Sequence, residues 1–175
     1  MSQATLIQQV TLVNEGQIQI TDVLIEGERI QKIGSIPAQD QYHLVDGRGK
    51  YLFPGVIDGQ VHFRDPGLTH KADLTSESKA AIAGGVTSFI EMPNTRPNTL
   101  TLELWADKYE LASTKSLANY GFLLGITADN LDEVIQWDTS KHLAITDDGL
   151  YFTGKGNILA DQPTMLAKLF AAHKG

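Results

Sequence analysis

Hydrophobic and polar residues alternate with a period of two along the start of the chain. The runs LIQQVTLV, QIQITDVLIE and RIQKIG are short and are broken by Asn14-Glu15-Gly16 and Glu26-Gly27-Glu28. Such alternation with turn residues between predicts a small antiparallel β unit. Near residue 53 the rhythm changes. YLFPGVIDGQVHF reads as a strand, LTSESKAAIA as a helix that Gly84-Gly85 ends, VTSFIEM as a second strand and LTLELWADKYELA as its helix. YGFLLGI predicts a third strand, LDEVIQW a short helix and HLAIT a weaker fourth strand. PTMLAKLFAAH predicts a last helix with Pro163 at a position where proline is tolerated. Strand–helix units in series imply parallel strands with crossover helices. The expected class is α/β, with a small β domain over residues 1–53 and a (β/α) domain over 54–175. A complete (β/α)8 barrel takes eight units and roughly 250 residues, so the second segment is either a small open sheet or about half a barrel. In both cases the loops at the strand C-terminal ends are the expected functional edge.

Composition narrows the partners. The formal net charge is −7, which argues against a nucleic-acid footprint and against attraction to an anionic membrane. No run approaches the ~18 apolar residues of a membrane span. MSQATLIQQVTL has neither a basic start nor an apolar signal core, so the expected location is the cytoplasm. There is no cysteine; any metal site must draw on His, Asp, Glu or a modified Lys.

The candidate chemistry gathers at strand ends. In DGQVHFRDPG, residues 58–67, Gln60, His62 and Arg64 alternate and are expected on one face of an extended segment, with Asp58 on the same face. Histidine offers a metal nitrogen and arginine a planar fork for a carboxylate. The plainer alternative is a polar strand end in which Arg64 pairs with Asp65. EMPNTRP closes the second strand, and Asn94 and Thr95 offer an amide and a hydroxyl there, or a plain Pro-Asn turn. ITDDG closes the fourth. Asp147 and Asp148 could ligate a metal, act as acid and base, or form a solvated turn. GLYFTGKG nearly spells a phosphate loop, but Gly156 stands where the magnesium-holding hydroxyl belongs, and the motif is rejected. His43, His70, His142 and His173 have no partner at ligand spacing and read as surface or packing residues.

Taken together, PGVIDGQVHFRDPGLTHKADLTSESKAAIAGGVTSFIEMPNTRPNT resembles the dihydroorotases of the amidohydrolase superfamily. Their hallmark is Asp-x-His-x-His-x-Arg with a following Pro-Gly, then Gly-Gly-[Val/Ile]-Thr and Met-Pro-Asn-Thr. NYGFLLGITADNLDEV is similar to the same family's third strand and helix, and the opening β unit to its small β domain. The resemblance implies the first half of a metal-dependent (β/α)8 TIM barrel preceded by a small β domain. It implies interconversion of N-carbamoyl-L-aspartate and dihydroorotate in pyrimidine synthesis, by metal-hydroxide attack on a ring amide. Zinc is the implied metal, as one or two ions. His62 then matches a strand-one metal histidine, Arg64 and Asn94 match groups that hold the substrate carboxylate, and Asp58 matches the carboxylate that opens the motif.

The departures are specific. Gln60 occupies the place of the first metal histidine, and an amide oxygen is a poor zinc ligand beside imidazole. A branch of dihydroorotase-like sequences also carries Gln there. Asp148 falls where the family carries a bridging carboxylated lysine, or an aspartate in one branch. Asp147 is one step away and a register slip would exchange them. The remaining metal histidines and the proton-shuttling aspartate are expected beyond Gly175. Half a barrel would leave open sheet edges, so homo-oligomerisation or a missing C-terminal half is expected. Two alternatives stand beside the enzyme. One is a catalytically silent dihydroorotase-like subunit that scaffolds aspartate transcarbamoylase, favoured by Gln60. The other is a hydantoinase or allantoinase relative, disfavoured by the pairing of Arg64 with Asn94.

Overall fold

The computed structural model describes residues 3–138, 144–147 and 162–172. The chain divides into two compact units, Met1–Pro54 and Gly55–Gly175.

The first unit is a five-stranded sheet. Strands β1 (Thr5–Asn14), β2 (Gln17–Glu26) and β3 (Arg29–Gly34) form an antiparallel meander. Glu15 and Gly16 both take positive φ, 49° and 74°, as a two-residue hairpin turn requires. The meander is what the alternation predicts. The rest of the sheet is not: β4 (His43–Asp46) and β5 (Tyr51–Leu52) both pair parallel to β1. Alternation reports which face a residue takes; it is silent on strand direction. A bulge displaces the β1–β2 register between Ile7 and Val10, and Gln9 there has φ 54°. Asp22 braces it: Oδ1 accepts from the Gln9 N–H at 2.8 Å and Oδ2 from the Ile36 N–H at 3.0 Å. Leu6, Leu24 and Ile36 form the core of this unit.

In the second unit, β6 (Val56–Val61), β7 (Val86–Glu91) and β8 (Asn119–Phe122) form a parallel sheet in sequence order. Helix α1 (Leu74–Ala83) connects the first pair and α2 (Leu102–Lys115) the second. A two-stranded parallel pair follows, β9 (Leu124–Gly125) with β10 (Ile145–Thr146), together with the short helix α3 (Leu131–Val134) and α4 (Pro163–Ala172). The helix starts are written locally. Asp73 Oδ1 accepts from the N–H groups of Thr75 and Ser76, and Thr101 Oγ1 from that of Leu104; each satisfies donors that a helix start leaves open. Phe63, Leu74, Phe89, Ala112, Ala118 and Phe122 form the core between sheet and helices, and the Phe63 and Phe89 rings stand 4.4 Å apart.

Two expectations need correction. The strand expected over YLFPGVIDGQVHF is two strands, β5 in the first unit and β6 in the second. The third strand is also shorter than its apolar run. Leu123 interrupts the third, where its N–H donates to the Glu91 carbonyl.

Candidate active site at the strand ends

The sequence reading places Gln60, His62 and Arg64 on one face by simple alternation. The structure does not keep that alternation. The β6–β7 register shifts between Asp58 and Val61, and a one-residue shift exchanges the faces that follow. Strand β6 ends at Val61, and Arg64 lies beyond it in the left-handed region with φ 65°. For a residue with a Cβ that conformation costs about 1–2 kcal/mol, so the surroundings must hold it.

His62 and Phe63 part company at the strand end. Phe63 is buried in the core against Phe89, whereas His62 is half-buried and turned toward the second strand's loop. Its Nδ1 lies 2.9 Å from Asn94 Oδ1. With the amide in this orientation, Nδ1–H donates and Nε2 presents its lone pair. Asn94 is buried, and its Nδ2 has no hydrogen-bond partner among the described residues. A buried amide donor left open loses about 1–3 kcal/mol, which an acceptor arriving there would recover.

The loop that carries Asn94 is tightly determined. The Pro93 carbonyl accepts from the Thr95 and Thr99 N–H groups, both at 2.9 Å, and Thr95 Oγ1 donates to the Pro97 carbonyl at 2.9 Å. This loop also seats on its neighbours. The Arg96 N–H donates to the Pro66 carbonyl at 3.1 Å, and the Gly125 N–H to the Thr99 carbonyl at 2.8 Å. Gly67 has φ 84°, and a Cβ there would lie 2.1 Å from the Arg96 carbonyl oxygen. Only glycine permits this approach of the first and second loops.

Two ion pairs lie behind the loops. Lys108 Nζ is 2.8 Å from Glu91 Oε2, with both side chains at 1–2% exposure. Burial pushes the Glu91 carboxyl up, against the lowering effect of Lys108; burial also pushes the Lys108 ammonium down. Lys115 Nζ is 2.8 Å from the buried Asp65 Oδ2. Asp65 therefore pairs with Lys115, not with Arg64 as the plainer alternative had it.

Of the sequence-predicted residues, His62 and Asn94 are thus brought into contact. Arg64 is half-buried on the adjoining turn. Asp58 is half-buried and its Oδ1 accepts from the Gln60 backbone N–H at 3.1 Å; Gln60 itself is exposed. Asp147 is half-buried just after β10. Asp148 lies outside the described residues. Sequence reasoning missed Glu91 and Lys108, although a signal existed. Lys108 shares the i, i+3, i+4, i+7 stripe of Trp105, Tyr109 and Ala112, where an apolar residue belongs.

Zinc can be tested against this donor set. His62 Nε2 suits it as a single ligand. A zinc hydrolase takes about three protein ligands. Among the described residues no three His, Asp or Glu side chains come together. The described residues alone therefore do not fit the ion.

A sequence model described as dihydro-orotase-like matches residues 49–172. The dihydroorotase of Carboxydothermus hydrogenoformans is 37% identical over 143 residues, covering 80% of this chain and 33% of that protein. An allantoinase of Desulfitobacterium hafniense is 38% identical over 114 residues, 65% of this chain and 25% of that one. Among solved structures, the L-hydantoinase (dihydropyrimidinase) of Arthrobacter aurescens superposes with a TM-score of 0.70 at 27% identity, covering 81% of this chain and 32% of its own. The chain spans about a third of the length of the curated relatives it matches, from their N-terminal side in fold.

Proposed function

The chain belongs to the dihydro-orotase-like family, and from that premise we propose that its strand ends serve the interconversion of N-carbamoyl-L-aspartate and dihydroorotate in pyrimidine synthesis. Relatives named dihydroorotase, allantoinase and hydantoinase make cyclic amide hydrolysis the common ground. Its fold is the α/β one of those relatives, the first part of a (β/α) barrel preceded by a small β unit. The observation that carries the finer reading is Asn94: a buried amide whose Oδ1 holds His62 and whose Nδ2 is left for an acceptor. Arg64, just beyond the end of β6, supplies a planar cation suited to a carboxylate. An uncharged hydantoin ring has no use for that cation.

In this reading Arg64 and Asn94 bind and orient the substrate carboxylate, and His62 is fixed in one tautomer by Asn94. Zinc is the metal proposed from the family, and among the described residues His62 is the side chain suited to it. A cytoplasmic protein is proposed with it; no described helix is long and apolar enough to cross a membrane. A second reading rests on Gln60: a silent subunit that scaffolds aspartate transcarbamoylase or pairs with its own kind. Turnover of dihydroorotate, hydantoin and allantoin by the protein separates these. Preference for dihydroorotate, with Arg64→Met weakening N-carbamoyl-L-aspartate binding about 10–100-fold, is the expected result. Equal turnover of all three rings would sink the carboxylate assignment. No turnover, and no zinc uptake after Gln60→His, would favour the silent subunit.

A further inference from the structure

The carboxylate nearest to Arg64 along the chain belongs to the next residue, Asp65. Neighbouring Cα atoms stand about 3.8 Å apart, so a long arginine side chain can reach an adjacent aspartate. Guanidinium and carboxylate pair readily, and such a pair would leave nothing for an incoming anion. The structure keeps the two apart. No carboxylate among the described residues forms an ion pair with the Arg64 guanidinium.

The Asp65 carboxylate is held elsewhere. Its side chain is 3% exposed, and Oδ2 accepts from Lys115 Nζ at 2.8 Å and from the Leu74 N–H at 3.4 Å. Lys115 is the last residue of α2 and Leu74 the first of α1. The chain around Lys115 is itself fixed. The Ser116 N–H donates to the Ala112 carbonyl at 2.9 Å, and the Leu117 N–H to Ser78 Oγ at 3.1 Å. Lys108, earlier on α2, is committed to Glu91 at 2.8 Å. The turn that carries Arg64 closes without the Asp65 side chain. The Leu68 N–H donates to the Arg64 carbonyl at 3.0 Å, and the Arg96 N–H to the Pro66 carbonyl at 3.1 Å. What the ion pair decides is therefore where the Asp65 charge goes. A buried carboxylate stripped of its cation is strongly unfavourable, and without Lys115 the closest cation along the chain is Arg64. With Lys115 present, two cations meet one buried anion, and one positive charge is left over at Arg64.

We propose that Lys115 is a positioning residue of the candidate site: by binding the Asp65 carboxylate it keeps the Arg64 guanidinium unpaired and open to a carboxylate-bearing substrate. This rests on the reading of Arg64 as the anion-binding residue.

The test compares Lys115→Met with Lys115→Met/Asp65→Asn in this chain, by calorimetric titration with N-carbamoyl-L-aspartate. The single variant frees Asp65 to neutralise Arg64, so affinity is expected to fall about tenfold or more. The double variant removes the competing carboxylate, and affinity should return to within about threefold of wild type. A purely structural role for the ion pair predicts no such rescue. An unchanged single variant, or a double variant as weak as the single one, overturns the proposal. If Lys115→Met does not fold, Lys115→Gln, which keeps a donor without the charge, takes its place under the same criterion. Exchange of the Arg64 Nε–H with water, followed by NMR, needs no ligand. It should slow about tenfold in the single variant and recover in the double one; equal exchange in all three proteins overturns the proposal. A wild-type chain that binds no N-carbamoyl-L-aspartate removes the anion-binding reading of Arg64, and the Nε–H exchange then judges the role of Lys115 by itself.

Discussion

The N-terminal sheet and the strand ends of the second unit each hold an ion pair of 2.8 Å, and the two pairs have opposite physics. In the sheet, Arg48 Nη2 meets Asp46 Oδ2 with both side chains largely in water, at 71% and 61% exposure. The arginine holds the Asp46 carboxyl down at about 2. In the second unit, Glu91 and Lys108 are almost wholly buried, and the same separation leaves both groups short of the solvation they lost. Length does not measure the worth of a salt bridge. A solvated pair can be removed with little effect, whereas half of a buried pair cannot stand alone.

The comparison breaks most easily at Lys108. Lys108→Met should cost about 3–5 kcal/mol in urea unfolding at pH 7, because Glu91 would be left buried without its counterion. The pH dependence follows from sign. Burial already raises Glu91 from its ordinary value of 4.5, and losing Lys108 raises it further. A raised carboxyl contributes stability below the unfolded value, and that contribution is lost as pH rises through the folded value. The deficit against wild type should therefore shrink on acidification toward that ordinary value. A deficit independent of pH would mean that packing, not charge, was lost.

Next in size is Gly67→Ala. The φ of 84° and the 2.1 Å approach to the Arg96 carbonyl oxygen leave no room for a methyl group. A loss of about 2–4 kcal/mol is expected by thermal unfolding, with weaker contact between the first two loops. The smallest effect should come from Asp46→Asn. Its lowered carboxyl means that any contribution is present above its unfolded value and fades as pH falls toward about 2. Solvent screens that contribution, so an unchanged melting curve at pH 7 is expected. A clear drop there would contradict the contrast between the two pairs.

Much of this was legible in the chain. Helix α1 spans its expected run and stops where Gly84-Gly85 announces its end, whereas α2 begins at Leu102, two residues into its expected run. Strand β7 coincides with its β-branched run. The His62–Asn94 contact joins two residues singled out from separate strand ends. What failed was the longer inference along DGQVHFRDPG, because a shifted register and one left-handed residue undo a strict period of two. The parallel entry of β4 and β5 beside β1 was equally invisible, since strand direction follows from how a connection crosses the sheet.

By itself, then, the sequence determined the local matters: the β meander and its turns, the strand–helix alternation, the glycine end of α1, and the concentration of His62, Arg64 and Asn94 at strand ends. These depend on residues a few positions apart, where periodicity and capping chemistry act. Only the tertiary structure decided which carboxylate meets which lysine. Glu91 and Lys108 stand 17 residues apart in unlike elements, as do Asp65 and Lys115 at 50. A buried charge finds its partner through the packing of a helix on a sheet, and no pattern along one chain states how that packing closes.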